Sequence, residues 1–255
     1  PPDLFSATGQ LGGNPLYRWD VMEKDGYSWW VERFRRALRL CDIVRVDHFR
    51  GFQAGWQVPA SESTAVRGRW VEGPGDALFA RVLAEMNELP IIVEDLGIIT
   101  REVDELRERL GYPGMKVLQF AFGGDSDNPY LPHKYERNSV VYTGTHDNDT
   151  TIGWYDRAND HEREHVNRYL GGRVTNMSWE LIRLAMSSVS SLCIVPMQDI
   201  LELDSSSRMN TPGTITGNWR WRLEPRAVQE HHARLLADLT ALYGRDPRTA
   251  KPRWS

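Results

Sequence analysis

Three carboxylates in this sequence follow closely on short apolar runs. Asp47 comes directly after IVRV, Glu94 directly after IIV, and Asp147 four residues beyond the run 140–143. In parallel α/β barrels the functional groups lie at the carboxyl ends of the strands. A single acid at such a place can be a helix cap or a loop acceptor. Three acids on three strands of one sheet repel each other, and proteins tolerate this mainly where chemistry requires it.

The spacing around these acids suits a nucleophile and a general acid. Arg45 precedes Asp47 by two positions, and side chains alternate along a strand, so both side chains point the same way. The guanidinium would keep Asp47 ionised and oriented. Retaining transfer of a sugar needs a second carboxyl group about 5–5.5 Å away, protonated at first, and Glu94 fits by position. Asp147 would then stabilise charge or bind hydroxyl groups, with His146 beside it.

The elements that must position these residues read as alternating strands and helices. Helical spacing indicates helices over 100–110 and 159–170, where Asn159 and Glu162 have the spacing of a capping box, and a terminal helix over 227–243. Strand then helix, repeated, predicts a parallel sheet. The predicted strands are the five β-branched runs 43–46, 91–93, 117–122, 140–143 and 192–195.

Five strands do not close a barrel. An eight-stranded (β/α)8 barrel takes about 250 residues, yet 255 residues here show five strands. Either three strands are hidden in this sequence or they lie upstream of it.

The composition and motifs of the sequence argue against several classes of protein. With 40% hydrophobic residues, net charge −4 and no basic stripe, we expect a cytoplasmic protein that binds neither nucleic acid nor a membrane. No phosphate-cradling motif and no clustered His/Cys spacing is found in the sequence, so we expect no cofactor and no metal. Cys41 and Cys193 are predicted to be buried free thiols.

An ordered set of longer strings resembles the amylomaltase or 4-α-glucanotransferase family, a branch of the α-amylase clan. Further matches extend the likeness from the first residues to GNWRWRL at 217–223. The strings that carry it are RVDHFRGF at 45–52, VEDLG at 93–97, GMKVLQFAF at 114–122 and YTGTHDNDTT at 142–151.

The resemblance implies roles for individual residues. Asp47 would be the nucleophile, Glu94 the general acid/base and Asp147 the transition-state stabiliser, with Arg45 and His146 as sugar and carboxylate partners. Two weaker assignments follow from the loops: Gln10 would lie near the bond that is cut, and Asn210 would contact the acceptor.

The resemblance also implies an architecture. The five runs would be strands four to eight of a (β/α)8 TIM-type barrel with long loops, and strands one to three would precede residue 1. Residues 1–225 would form this part of the barrel, with 1–17 as a lid loop, and 226–255 a C-terminal helix and tail. Relatives often carry an aromatic residue at Leu4 and a Trp at Gly12, so the sugar-stacking part of the lid differs here.

The implied activity is retaining transfer of an α-1,4-glucan segment to the 4-hydroxyl of glucose or another maltodextrin, through a covalent glycosyl-enzyme. Two alternatives stay open. An α-amylase-type hydrolase uses the same three carboxylates and differs in loops that exclude water. The chain could instead be an inactive barrel fragment that needs a partner piece, such as the N-terminal part of the barrel.

Overall fold

The protein is described from a computed structural model covering residues 6–9, 11–97, 99–172, 174–246 and 248. It is a mixed α/β structure that divides into two compact units, Pro1–Gly114 and Met115–Ser255. Among the described residues the strands form three sheets of two, two and three strands and no closed barrel. None of the helices in this part of the chain is long and apolar enough to cross a membrane.

The first unit is built around a parallel pair of strands. Strand β1 pairs with β4 in a register that sets Val44 opposite Ile91 and Val46 opposite Val93, and the β-branched residues of both strands suit this pairing. The elements in chain order are α1 (Trp19–Lys24), α2 (Ser28–Ala37), β1 (Val44–Val46), α3 (Arg50–Gln53), β2 (Ala54–Gln57), β3 (Arg69–Glu72), α4 (Gly75–Met86), β4 (Ile91–Val93) and α5 (Arg101–Leu110).

Helices α2, α4 and α5 supply the apolar side chains that pack with this pair. Each helix buries residues three or four positions apart, as expected of an amphipathic helix. Burial of each large side chain contributes roughly 1.5–3 kcal/mol to the stability of the fold. Val46, Ile91 and Val93 belong to the same core, so the packing holds β1 and β4 in place. The buried residues on the helices are Trp30, Val31 and Phe34 in α2, Leu78, Phe79 and Val82 in α4, and Val103 and Leu106 in α5.

A hairpin that the sequence analysis did not predict lies between β1 and α4. Strands β2 and β3 are antiparallel, with Trp56 opposite Trp70 and their ring centroids 5.4 Å apart. Both runs are short and contain Gly or charged residues, so neither has the β-branched composition on which the strand prediction depended.

The second unit contains a three-stranded sheet in the order β5-β6-β7, in which β6 and β7 are parallel. Its apolar core includes Leu118, Phe122, Val141 and Leu181. The elements are β5 (Gly114–Val117), β6 (Ser139–Tyr142), α6 (Thr151–Arg157), α7 (Asp160–Tyr169), α8 (Met177–Ser187), β7 (Leu192–Ile194), α9 (Met197–Ile200) and α10 (Glu230–Leu242), with 3-10 turns at Leu118–Phe120, Pro132–Lys134 and Ser205–Ser207.

The strand predicted over 117–122 was wrong for most of its length. Strand β5 ends at Val117, and Leu118–Phe120 form a 3-10 turn. The Ala121 amide donates to the Leu118 carbonyl at 2.9 Å, which is the i to i+3 hydrogen bond of a 3-10 turn rather than a strand pairing. A continuous apolar run does not distinguish the two.

The three predicted helices are present, with bounds within three residues of those predicted. The capping box of α7 is confirmed: the Glu162 amide donates to Asn159 Oδ1 at 3.0 Å and the Asn159 amide to Glu162 Oε2 at 3.1 Å. The terminal helix α10 begins at Glu230, three residues later than predicted.

The thiol prediction was half wrong. Both cysteines are free, but Cys41 is exposed and Cys193 is partly buried. Burial raises the pKa of the Cys193 thiol to about 11. Cys41 lies in the connection between α2 and β1 and is exposed, whereas the end of β1 is buried in the core.

Candidate active site

Asp47 and Glu94 follow partner positions on neighbouring parallel strands. Val46 is opposite Val93, and each acid is the first residue after its strand. Neighbouring strands lie about 4.8 Å apart, so the backbones of the two acids start from adjacent positions, and a retaining pair needs carboxyl groups roughly 5–5.5 Å apart. The register therefore places two acids side by side at the carboxyl end of the sheet.

Backbone amides hold the Glu94 carboxyl group in one orientation. The His48 amide donates to Oε2 at 2.8 Å, and the Leu96 amide donates to Oε1 at 2.7 Å. The Phe49 amide also donates to the Glu94 carbonyl at 3.0 Å. His48 has a left-handed backbone, with φ 50°, which costs a residue other than Gly on the order of 1 kcal/mol. This turn points its amide at Glu94.

Arg45 and Asp47 are in contact, as their spacing predicted. Arg45 Nη2 lies 2.7 Å from Asp47 Oδ1, and the Asp47 side chain is 72% exposed. The guanidinium thus orients one carboxylate oxygen without covering the group. We call Arg45, Asp47, His48 and Glu94 the Asp47–Glu94 cluster.

The residue next to Glu94 in the chain belongs to a buried ion pair that no sequence pattern predicted. Asp95 Oδ2 and Arg107 Nε are 3.4 Å apart, with side chains only 6% and 5% exposed. A Cβ added at Gly114 would come within 2.1 Å of Asp95 Oδ2. The absence of a side chain at Gly114 leaves room for the Asp95 carboxylate. The only signal in the sequence was the second acid of VEDLG.

In the second unit, Asp147 lies among polar and aromatic side chains. Asn210 Nδ2 donates to Asp147 Oδ1 at 2.6 Å, and His146 Nε2 is 3.4 Å from the same oxygen. The Arg208 guanidinium donates to the Asp147 carbonyl at 2.6 Å and to the Asn210 carbonyl at 2.8 Å. We call these four residues, together with Trp219, the Asp147 cluster.

Trp219 completes this cluster through the His146 ring. The two ring centroids are 5.2 Å apart, and the Trp219 amide donates to the Met209 carbonyl at 2.7 Å. Trp219 is 55% exposed, so the face of an aromatic side chain remains open beside Asp147. Asn210 was predicted to contact the acceptor; in the structure its amide group donates to Asp147. Arg208 and Trp219 were not predicted, although Arg208 begins the string RMNTPGT at 208–214 and Trp219 lies in GNWRWRL.

The opening loop is described only in part. Gln10, predicted to lie near the bond that is cut, falls outside the described residues, as does Leu4. The Thr8 carbonyl accepts the Ala65 amide at 3.0 Å, and residues 11–17 are exposed. Gly12 has no close neighbour other than the Asn14 side chain.

Within the described residues we find no group of three or more His, Cys, Asp or Glu side chains that could hold a metal ion. The two clusters contain carboxylates, a guanidinium group each and imidazoles. Paired carboxylates at the end of parallel strands are the arrangement of an α/β enzyme that acts on glycosidic bonds.

Known proteins agree with this class. The family model described as 4-alpha-glucanotransferase, glycoside hydrolase family 77, matches residues 1–228. The chain therefore belongs to the 4-alpha-glucanotransferase family. The sequence is 53% identical over 246 residues to a 4-alpha-glucanotransferase of Thermus thermophilus, covering 93% of this chain and 49% of that protein.

Two further relatives give the same picture. The chloroplastic/amyloplastic 4-alpha-glucanotransferase DPE1 of Arabidopsis thaliana is 53% identical over 250 residues, covering 96% of this chain and 43% of that protein. The amylomaltase from Streptococcus agalactiae, solved in complex with acarbose, superposes with a TM-score of 0.91 at 35% identity, covering 96% of this chain and 50% of that one. The chain thus spans about half the length of these relatives.

Proposed function

We propose that the protein carrying this chain is a retaining 4-α-glucanotransferase acting on α-1,4-glucans. The observation that supports the proposal is the register of β1 and β4, in which Val46 is opposite Val93 and Asp47 and Glu94 are the residues that follow. Family membership over residues 1–228 supports the choice of substrate class. The solution of the amylomaltase from Streptococcus agalactiae in complex with acarbose supports an α-glucan as the ligand.

In the first half of the reaction, an Asp47 oxygen attacks the anomeric carbon of the donor. The bond from that carbon to the leaving 4-oxygen breaks, and Glu94 gives its proton to that oxygen. The contact from Arg45 keeps the attacking oxygen aimed. The two amides that bond Glu94 keep the proton donor in place.

In the second half, the 4-hydroxyl of glucose or another maltodextrin attacks the glycosyl-enzyme. Glu94 removes the proton of this hydroxyl, the new glycosidic bond forms, and the Asp47 carboxylate leaves. Two inversions at one carbon give net retention. We assign to Asp147 the stabilisation of the developing positive charge, since Asn210 and His146 hold its carboxylate in a fixed position.

The same proposal extends to the architecture. The strands β1, β4, β5, β6 and β7 correspond to strands four to eight of a (β/α)8 barrel, residues 1–17 to a lid, and 226–255 to a helix and tail on the outside. Gln10 is assigned to the region of the bond that is cut. The overlap with the amylomaltase from Streptococcus agalactiae over 96% of this chain supports this correspondence.

The test is incubation of the natural protein with maltotriose, with products resolved by length. Glucose together with maltodextrins longer than maltotriose is the expected result. Glucose and maltose without longer products would favour the hydrolase instead. Asp47→Asn should abolish both.

A matched control for that variant is present in the chain. Asp20 is also paired at 2.7 Å with an arginine two residues before it, and its side chain is exposed. Asp20→Asn should leave the products unchanged, because Asp20 lies within helix α1 and does not follow a strand.

A further inference from the structure

A buried carboxylate that the proposed chemistry does not use lies in the second unit. Asp199 is on the four-residue helix α9 and is only 1% exposed. Burial raises the pKa of this carboxyl group, and the nearby Asp149 carboxylate acts in the same direction, while hydrogen bonds oppose both. A costly group at this position calls for an explanation from its contacts.

Each oxygen of Asp199 accepts one strong hydrogen bond. The Thr143 hydroxyl donates to Oδ2 at 2.6 Å, and the Thr151 amide donates to Oδ1 at 2.7 Å. Both threonines are completely buried. Thr143 is the first residue after β6, and Thr151 is the first residue of α6.

The two donors flank the segment that carries Asp147. Residues 144–150 connect β6 to α6 and include His146 and Asp147. Inside the segment the Thr145 amide donates to Asn148 Oδ1 at 2.9 Å. Gln119 Nε2 also holds the segment, through the Asp149 carbonyl, at 2.9 Å. The turn is thus ordered within itself, and Asp199 joins its two ends.

We propose that Asp199 is a positioning residue for Asp147, acting by tying the two ends of segment 143–151 to one carboxylate. The proposal rests on the role given to Asp147 above. Asp199 does not touch the reacting atoms. It fixes the span between the end of β6 and the start of α6, and so the place from which Asp147 is presented.

The position requires two hydrogen-bond partners more than it requires a charge. An amide group at 199 can accept from the Thr151 amide with its oxygen and donate to the Thr143 hydroxyl, which also accepts hydrogen bonds. A methyl group can do neither and would leave the buried Thr151 amide without its partner. The two substitutions therefore separate a tie by hydrogen bonds from a need for negative charge.

The experiment compares Asp199→Ala and Asp199→Asn in the natural protein, with kcat and KM on maltotriose measured per active site. We expect the Ala variant to lose about 100-fold in kcat, since a displacement of about 1 Å can have this effect. KM should change by less than about threefold, because Asp199 does not contact substrate. The Asn variant should keep kcat within about fivefold of the parent.

A matched control removes the hydrogen bonds of Ser139 at the start of β6, where its hydroxyl also donates to the Glu136 carbonyl at 2.6 Å. The Ser139 and Ser190 hydroxyls are 2.8 Å apart, and both residues are buried. Ser139→Ala should lower the melting temperature but leave kcat per active site within about twofold, since Ser139 lies at the opposite end of β6 from Thr143.

If Asp199→Ala does not fold, the pair Thr143→Val and Thr143→Ser tests the same tie. The Val variant keeps the shape and loses the hydroxyl, so its kcat should fall about tenfold. The Ser variant keeps the hydroxyl and should retain the parent kcat.

Three results would overturn the proposal: a parental kcat in Asp199→Ala, an Asn variant as impaired as the Ala variant, or equal kcat in the Val and Ser variants. Failure of the parent protein to elongate maltotriose would refute the proposed function instead.

Discussion

Replacing Gly114 by Ala tests whether the buried Asp95 carboxylate keeps its neighbour Glu94 in position. The new Cβ would lie 2.1 Å from Asp95 Oδ2, 2.8 Å from its Cγ and 2.9 Å from its Oδ1. All three are closer than real Cβ atoms approach, and they belong to one carboxylate that is buried and paired with Arg107. Either Asp95 or the backbone at 114 must move.

The cost follows from these contacts. Overpacking a core costs about 1–3 kcal/mol, and breaking a buried ion pair costs roughly 3–5 kcal/mol. Partial displacement of Asp95 should therefore lower the free energy of unfolding by about 3 kcal/mol. Asp95 lies between Glu94 and Leu96, whose amide bonds Glu94 at 2.7 Å, so kcat should fall by roughly tenfold or more.

The assay is urea unfolding of the natural protein together with kcat on maltotriose. Gly55→Ala is the matched control, because a Cβ at Gly55 would meet nothing within 4 Å; its free energy of unfolding should change by less than about 0.5 kcal/mol. Equal stability and equal kcat in the two variants would show that the Asp95 carboxylate does not support Glu94.

The remaining predictions concern single residues. Glu94→Gln should lose turnover of maltotriose but keep the first step with a glucosyl fluoride, whose leaving group needs no proton; equal losses would exclude Glu94 as the acid. Asn210→Asp places a second carboxylate 2.6 Å from Asp147, so kcat should fall more than about tenfold by repulsion, whereas an unchanged kcat would remove Asn210 from the cluster. Gly12→Trp, whose Cβ would lie 3.1 Å from Asn14 Nδ2, should raise the transfer-to-hydrolysis ratio on maltotriose through a stacking surface; an unchanged ratio would mean that Gly12 does not face the sugar.

Local patterns predicted the parts of the fold that local forces decide. The β-branched runs at Val44–Val46 and Ile91–Val93 are strands, and the capping box at Asn159 begins a helix. The strand predicted from Val117 to Phe122 was wrong for most of its length, because a buried apolar run can form either a strand or a 3-10 turn. The β2–β3 hairpin was not predicted, because the two strands are defined by their pairing with each other and not by a β-branched composition.

The same division holds for the candidate site. Asp47 and Glu94 could be found because each ends an apolar run, and Arg45 because it is two residues from its partner. Asp199 could not be found, since it is 56 residues from Thr143 and no periodic pattern connects them. Contacts of that kind arise only when the chain is folded.

The central claim, a covalent glycosyl-enzyme on Asp47, can be tested by trapping that species. The natural protein is treated with a 5-fluoro glucosyl fluoride, which slows the second step, and its peptides are mapped by mass spectrometry. We predict one added glycosyl mass on the peptide containing Asp47, with none in Asp47→Asn and full labelling in Asp20→Asn. A parent enzyme that elongates maltotriose but carries no added mass, or carries it on another carboxylate, would contradict the account.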